Sequence, residues 1–258
     1  MQIVSTRKMA TSSTIRIPYS KKQNRRRSFG TACKKQTEEG KILQSVYKVE
    51  MEGITKTFGG VYALKNASFR VKPGEIHALV GENGAGKSTL MKILSGAHQK
   101  DGGTISIDGQ EVEIKSPIHA EQLGIGTVYQ ELMLVPELSI AENMFLGSDL
   151  KTNRIGVVKW KEIYRETKRL LQELVGIDVD PHTKVKELGI AYQQMIEVAR
   201  VLSRKIRILI MDEPTAALTE KEIQKLFTTI QALTEKGIAI VYISHRLEEI
   251  FQIGNNIC

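Results

Sequence analysis

Two rhythms of hydrophobic and polar positions alternate along this chain, and each change of rhythm marks an element. Short, nearly continuous apolar runs occur at Ile76-His-Ala-Leu-Val80, Arg207-Ile-Leu-Ile-Met211 and Ile240-Val-Tyr-Ile243. Runs of this length predict strands buried on both faces of a parallel sheet. Between the last two, Glu220 to Glu235 places apolar residues at helical spacing, which predicts the crossover helix that parallel neighbours need. Glu50 to Thr55 and Ala67 to Val71 predict strands of a small antiparallel sheet, with Pro73-Gly74 turning the chain toward the first buried strand. Gly102-Gly-Thr-Ile-Ser-Ile-Asp-Gly109 predicts a hairpin arm. Residues from about 138 to 190 are rich in Lys, Glu and Leu at helical spacing and predict a helical subdomain, with Trp160 to Leu174 as an amphipathic helix. Strands interleaved with helices give an α/β fold.

One junction between these rhythms carries chemistry. Gly81-Glu82-Asn83-Gly84-Ala85-Gly86-Lys87-Ser88 follows the first apolar strand and precedes the amphipathic stretch Thr89-Leu-Met-Lys-Ile-Leu94. The spacing G-x-x-x-x-G-K-[ST] between a strand and a helix is a phosphate-binding loop. Gly81, Gly84 and Gly86 let the backbone curl until successive N–H groups point inward at a di- or triphosphate. Lys87 adds a mobile positive charge for the β- and γ-phosphates, and the Ser88 hydroxyl suits Mg²⁺. The helix dipole favours an anion at Thr89. The pattern implies a nucleoside triphosphate site.

Two later strand ends point to the same ligand. Asp212 and Glu213 close the run from Arg207, which puts two carboxylates at the carboxyl edge of a parallel sheet, where open α/β folds bind phosphates. Asp212 is placed to hold Mg²⁺ and Glu213 to polarise an attacking water. Alone, the pair reads as a solvated acidic turn; together with a phosphate loop that becomes the lesser reading. His245 follows the strand that begins at Ile240, one crossover helix beyond Asp212. That topology brings it to the edge shared by Lys87 and Asp212, in reach of a γ-phosphate. A lone histidine after a strand is more often a structural cap.

In this order the landmarks resemble the nucleotide-binding cassette of ABC transporters, and most of all the first cassette of bacterial monosaccharide importers of the ribose, galactose and xylose type. The resemblance runs from about residue 49 to 250. It implies a P-loop NTPase with a RecA-like parallel sheet core, a small antiparallel β subdomain and a helical signature subdomain. It also assigns further residues. Phe58, in Lys-Thr-Phe-Gly-Gly60, matches the aromatic that stacks on adenine, although by itself it reads as a core aromatic. Gln130, in Thr-Val-Tyr-Gln-Glu131, matches the glutamine that contacts Mg²⁺ and the attacking water and moves with the membrane domain. The run from Glu131 to Gly147 is the stretch most similar to the importers. Ala216-Ala-Leu-Thr219 matches the loop that speaks across a cassette dimer.

One landmark departs from the family. The signature that caps the γ-phosphate of a partner cassette is typically Leu-Ser-Gly-Gly-Gln; here the matching stretch is Leu188-Gly189-Ile190-Ala191-Tyr192. Gly189 has no hydroxyl for a phosphate oxygen, though its N–H and the helix dipole remain. Tyr192 stands where the family has a smaller amide. Two expectations follow side by side: a weakened partner site, or a helix start that works without the serine.

The resemblance implies an ATP-binding and ATP-hydrolysing subunit that uses Mg²⁺ and energises import of a monosaccharide. Its expected partners are membrane permease subunits, a sugar-binding protein and a second cassette, either another copy or a separate chain. No direct contact with sugar and no nucleic acid are expected, and the place is peripheral, on the cytoplasmic face of the bacterial plasma membrane. A soluble ABC ATPase acting on ribosomes or nucleic acid, or an inactive fragment, are the alternatives. The importer-like run from 130 to 147 argues against the first of these.

Composition bounds this reading. The chain has 258 residues, enough for one α/β core with a helical insert. No apolar run approaches a membrane span, so transport requires separate membrane subunits. Cys33 and Cys258 lie far apart and imply no disulfide framework, which suits a reducing compartment. The formal net charge of +8 comes from the start of the chain: residues 1–37 hold ten Lys and Arg and no Asp or Glu. Residues 1–46 therefore read as a basic, disordered tail and 47–258 as the cassette. A transit-peptide composition, an arm for nucleic acid or anionic membrane, and an extended reading frame without function all fit that tail. At the other end, the sequence stops shortly after His245, so the cassette is expected to be incomplete, lacking the last strands and a second cassette.

Overall fold

The computed structural model describes residues 47–81, 84–147, 152 and 156–257. The basic tail, Glu82, Asn83, Cys33 and Cys258 lie outside the described residues. The chain opens with β1 (Val49–Phe58) and β2 (Val61–Val71), joined through Gly59 and Gly60, whose φ values of 55° and 82° a residue with a side chain adopts only with strain. Next come β3 (Ile76–Leu79) and α1 (Lys87–Leu94), then β4 (Gly102–Ile107) and β5 (Gln110–Glu111). Helix α2 (Pro117–Gln122) starts with Pro at a position that needs no N–H and with Ser116 accepting the His119 N–H. It leads to β6 (Ile125–Val128).

The helical part begins with α3 (Ile140–Phe145), whose start is fixed by a capping box of Ser139 and Glu142. It continues with α4 (Trp160–Val175), a 3₁₀ turn at Val185–Glu187, and α5 (Ile190–Leu202). Then β7 (Ile208–Asp212) is followed by α6 (Glu220–Glu235), whose start is tied by Glu222 accepting both the N–H and the hydroxyl of Thr219. The last elements are β8 (Ala239–Ile243), α7 (Leu247–Ile253) and β9 (Asn256–Ile257).

Two sheets result. The antiparallel one has the order β2-β1-β4-β5 and the parallel one β6-β7-β8-β3-β9. Parallel neighbours leave no room for hairpins, so α6 returns the chain from β7 to β8. The main apolar cluster joins Leu209, Met211, Ile240 and Tyr242 of the sheet to Met144, Leu171, Ile196 and Ile230 of the helices. This is the α/β fold with an antiparallel subdomain and a helical insert that the sequence predicts, with α6 at its predicted bounds.

Several boundaries shift for physical reasons. The β1–β2 ladder extends to Phe58 and Val61, beyond the strands read at 50–55 and 67–71, because backbone pairing continues where side-chain alternation is lost. Helix α1 begins at Lys87 rather than Thr89, since Gly86 sits left-handed at φ 89° as its N-cap. The strand before Pro214 already ends at Asp212, because Glu213 turns out of it at φ 48°. Strand β9 beside β3 is an added element, with Asn255 accepting the Ile76 N–H at 2.9 Å.

Helix α5 lies directly on the β6 backbone. A Cβ added at Gly126 would come within 2.4 Å of Val201 and 3.0 Å of Ile206. Gly126→Ala should therefore lower the unfolding free energy by about 1–3 kcal/mol, the usual cost of overpacking a core. Urea denaturation reads this, and an unchanged midpoint would show that α5 shifts freely.

Candidate functional site

Four adjacent parallel strands end at one level and hand their following residues to a common edge. The pairs Val128–Met211, Met211–Tyr242 and Tyr242–Ala78 form one row across β6, β7, β8 and β3. Just past that row come Gln130, Asp212 with Glu213, His245, and the loop from Gly81. Gln130 is exposed and follows β6 by two residues.

The glycine loop is built to approach something closely. Gly86 combines a left-handed backbone with crowding, since a Cβ there would meet Leu64 at 2.7 Å and the Ala63 carbonyl at 2.9 Å. The N-cap of α1 is Gly86, which has no side chain to cap it, and the N–H groups of a helix start suit an anion. Lys87 donates to the Gly81 carbonyl and so folds back over the loop. Ala85 and Ser88 are exposed and Thr89 is half-buried. Glu82 and Asn83, read as members of this loop, lie outside the described residues. Phe58 ends β1 with its ring 46% exposed, held edge-on by His98 and approached by Lys56. An aromatic exposed to this extent is free to stack on a planar ligand.

The acidic pair is held under tension. Burial, and then the neighbouring Glu213 charge, push the Asp212 carboxyl above its ordinary value, while Lys92 and Lys87 pull the other way. Glu213 keeps its left-handed turn because its N–H donates to the Ile243 carbonyl of β8 at 3.0 Å. That turn aims its carboxylate at His245, whose Nδ1 lies 3.1 Å from Oε1. An ionised carboxylate only accepts, so Nδ1 carries the proton in this pair. Ser88, Gln130 and Asp212 offer a hydroxyl, an amide oxygen and a carboxylate. Hard oxygen donors of these kinds suit Mg²⁺ and would hold it if bound. A cation there would also relieve the raised Asp212 carboxyl.

The Leu188–Tyr192 segment leads into α5. Gly189 is the N-cap with no side-chain cap, and Ile190 and Tyr192 are exposed while Leu188 and Ala191 are half-buried. Gln193 braces the turn by donating to the Leu188 carbonyl at 2.8 Å and that of Val185 at 3.2 Å. Ala216 and Ala217 are likewise exposed ahead of α6.

Buried carboxylates escape a reading by motif. Glu197 of α5 is fully buried; it accepts the Met133 N–H at 2.8 Å and pairs with Arg200 at 3.0 Å, fastening the segment after Gln130 to α5. Beside it, a cleft of about 170 Å³ is lined by Pro117, Glu121, Tyr129, Arg200 and Arg204. Glu249 of α7 is buried too. The available signal was periodicity, because Glu197 and Glu249 each fall on the apolar stripe of their helix.

Comparison with known proteins places this geometry. The family model for ABC transporters matches residues 64–216. A ribose import ATP-binding protein of Rubrobacter xylanophilus is 52% identical over 209 residues, covering 81% of this chain and 41% of that protein. A xylose import ATP-binding protein of Thermoanaerobacter pseudethanolicus is 51% identical over 215 residues, covering 83% and 42%. The chain thus spans well under half the length of these relatives. Among solved structures, a nucleotide-free ATP-binding cassette from an ABC transporter superposes with a TM-score of 0.70 at 23% identity, over 82% of this chain and 86% of that one. A bacterial ABC transporter cassette solved as a dimer gives 0.67 at 25% identity, over 81% and 92%.

The raised Asp212 carboxyl has a thermodynamic consequence. A folded value above the unfolded one means that ionised Asp212 opposes folding at neutral pH; this penalty shrinks as pH falls through the folded value and is gone below the unfolded one. Asp212→Asn should therefore make the nucleotide-free protein more stable than the parent at neutral pH, with the gain shrinking toward acidic pH. Urea unfolding across that range checks both the sign and the trend.

Proposed function

Because the chain belongs to the ABC transporter family, we propose that it is an ATP-binding cassette that hydrolyses ATP to energise import of a monosaccharide through separate membrane permease subunits. The observation that carries the reading is the shared carboxyl edge of β6, β7, β8 and β3, where the glycine loop, the acidic pair, Gln130 and His245 converge. Identities of 52% and 51% to ribose and xylose import ATP-binding proteins support the sugar class.

In this reading Phe58 stacks on the adenine, and the loop Gly81–Thr89 wraps the phosphates with its N–H groups. Lys87 exchanges the Gly81 carbonyl for the β- and γ-phosphates. Ser88, Gln130 and Asp212 hold Mg²⁺, which when bound neutralises phosphate charge. Glu213 orients a water and takes its proton as the water oxygen bonds to the γ-phosphorus and the bond to the ADP oxygen breaks. His245 holds the Glu213 carboxylate in place through its Nδ1–H. Most of the rate enhancement is electrostatic positioning.

Each site is completed by Leu188–Tyr192 of a second cassette, another copy or a separate chain, whose exposed Ile190 and Tyr192 suit a contact surface. The cleft lined by Tyr129 and Arg200 receives a helix of the permease, and through Arg200 and Glu197 its occupation reaches the segment after Gln130. A sugar-binding protein delivers the substrate, and the cassette itself touches no sugar. Among the described residues no helix is long and apolar enough to cross a membrane. In this reading the cassette attaches peripherally to the permease subunits on the cytoplasmic face of the plasma membrane.

The reaction is tested at Glu213. Glu213→Gln should retain ATP affinity by calorimetry and lose at least about 100-fold in phosphate release, the usual contribution of a general base. Turnover at the parent rate would remove Glu213 from this role.

The partner site is tested at Gly189. A Cβ there meets nothing within 4 Å, so serine fits without strain. Turnover of the chain alone should rise more steeply than linearly with protein concentration. Gly189→Ser should raise it by roughly tenfold, the worth of one hydrogen bond to a charged oxygen. Linear scaling, or no gain from serine, would overturn completion of the site by a second copy.

A further inference from the structure

Glu249 is 3% exposed, yet its carboxylate is among the most heavily engaged groups in the molecule. Thr215 Oγ1 lies 2.9 Å from Oε1 and 2.8 Å from Oε2. Tyr242 OH donates to Oε2 at 2.8 Å and Ser244 Oγ at 3.0 Å. Arg246 pairs with Oε1 at 2.8 Å, and its backbone N–H donates to Ser244 Oγ at 3.0 Å. Burial, and then the Glu249 charge, push the Tyr242 phenol above its ordinary value, so it remains a donor.

These donors come from different elements. Thr215 stands two residues after Glu213, in the loop leaving β7. Tyr242 belongs to β8, while Ser244 and Arg246 flank His245. A buried carboxylate costs folding free energy unless its lone pairs are filled. Here they are filled by groups from both loops that carry the reacting pair. Three hydroxyls and a guanidinium require the acceptor capacity of a carboxylate; an amide of the same shape accepts at one atom only.

We infer that Glu249 is a positioning residue for hydrolysis: from the buried side it ties the loop after β7 to the loop after β8, so that His245 and Glu213 face each other. The backbone bond from Glu213 to Ile243 sets where the two loops start, and Glu249 sets their courses beyond it. This rests on the ATPase reading of the site, and it acts through His245 rather than on substrate.

Two measurements on the chain test it. In the first, Glu249→Gln should keep ATP affinity within about twofold while kcat falls at least about tenfold, as misplacement of a reacting group does. In a His245→Ala background the same change should cost less than about twofold, because the group it positions is gone. Equal losses in both backgrounds, or an unchanged kcat, overturn the inference. In the second, hydrogen exchange of the nucleotide-free protein should quicken in residues 213–219 and 244–249 together, with 87–94 unchanged. Loosening of one loop alone, or of neither, overturns it. If the parent hydrolyses no ATP, the ATPase reading falls while the exchange result still decides whether Glu249 joins the loops. Should Glu249→Gln fail to fold, Tyr242→Phe removes a single donor and should give the same pattern at smaller amplitude; no effect of that variant on either loop would overturn the inference.

Discussion

In a parallel sheet every strand runs the same way, so every strand must deliver its carboxyl end to the same edge. In this molecule β6, β7, β8 and β3 are paired without a register slip, and the row Val128, Met211, Tyr242, Ala78 fixes their ends at one height. Residues far apart in the chain then become neighbours, and the chemistry of each strand end is added to that of the next. A one-residue slip of β7 would turn Asp212 to the opposite face and separate it from Lys87. The crossover helices and the helical insert serve this pairing by covering the apolar faces that a parallel sheet cannot leave in water.

The edge so assembled is costly as a piece of folded protein. Ionising Asp212 works against burial and a neighbouring charge, and Glu213 holds a backbone conformation that residues with side chains seldom adopt. The glycine loop leaves the first turn of α1 without a side-chain cap. A cation would offset the cost at Asp212 and an anion would meet the open helix start, whereas the Glu213 turn is held by its bond to β8. The stability that holds them comes from elsewhere, from the apolar cluster behind the sheet and from capped helices such as α3 and α6.

Buried carboxylates connect that stable interior to the edge. Glu197 fastens the segment after Gln130 to α5, the helix that begins at the exposed Gly189. Glu249 gathers both loops of the Glu213–His245 pair. Arg200 has a buried Nε without a hydrogen bond, although its terminal nitrogen meets Glu197. One donor of a cation on the wall of the cleft is thus left unmet. The cleft and the carboxyl edge are therefore joined by a few charged contacts within a largely apolar core.

The amino-acid sequence by itself determined the fold class, the order of the elements and the residue types that reach the edge. It could do so because each of these signals is local: an apolar run, a glycine spacing, or a carboxylate at a strand end lies within one window of sequence. The bounds of α6 were legible for the same reason, since Thr219 and Glu222 mark its start within four residues. Tertiary structure decided what local signals do not contain. The length of β1 and β2 follows from ladder pairing, and β9 exists because Asn255 and Asn256 meet β3 and Glu75 across most of the chain. The left-handed turn of Glu213 depends on a carbonyl of β8, and Glu197 and Glu249 acquire meaning only when distant loops close around them. A buried carboxylate looks the same in a sequence as a solvated one; only the donors that surround it, brought from elsewhere in the chain, make the difference.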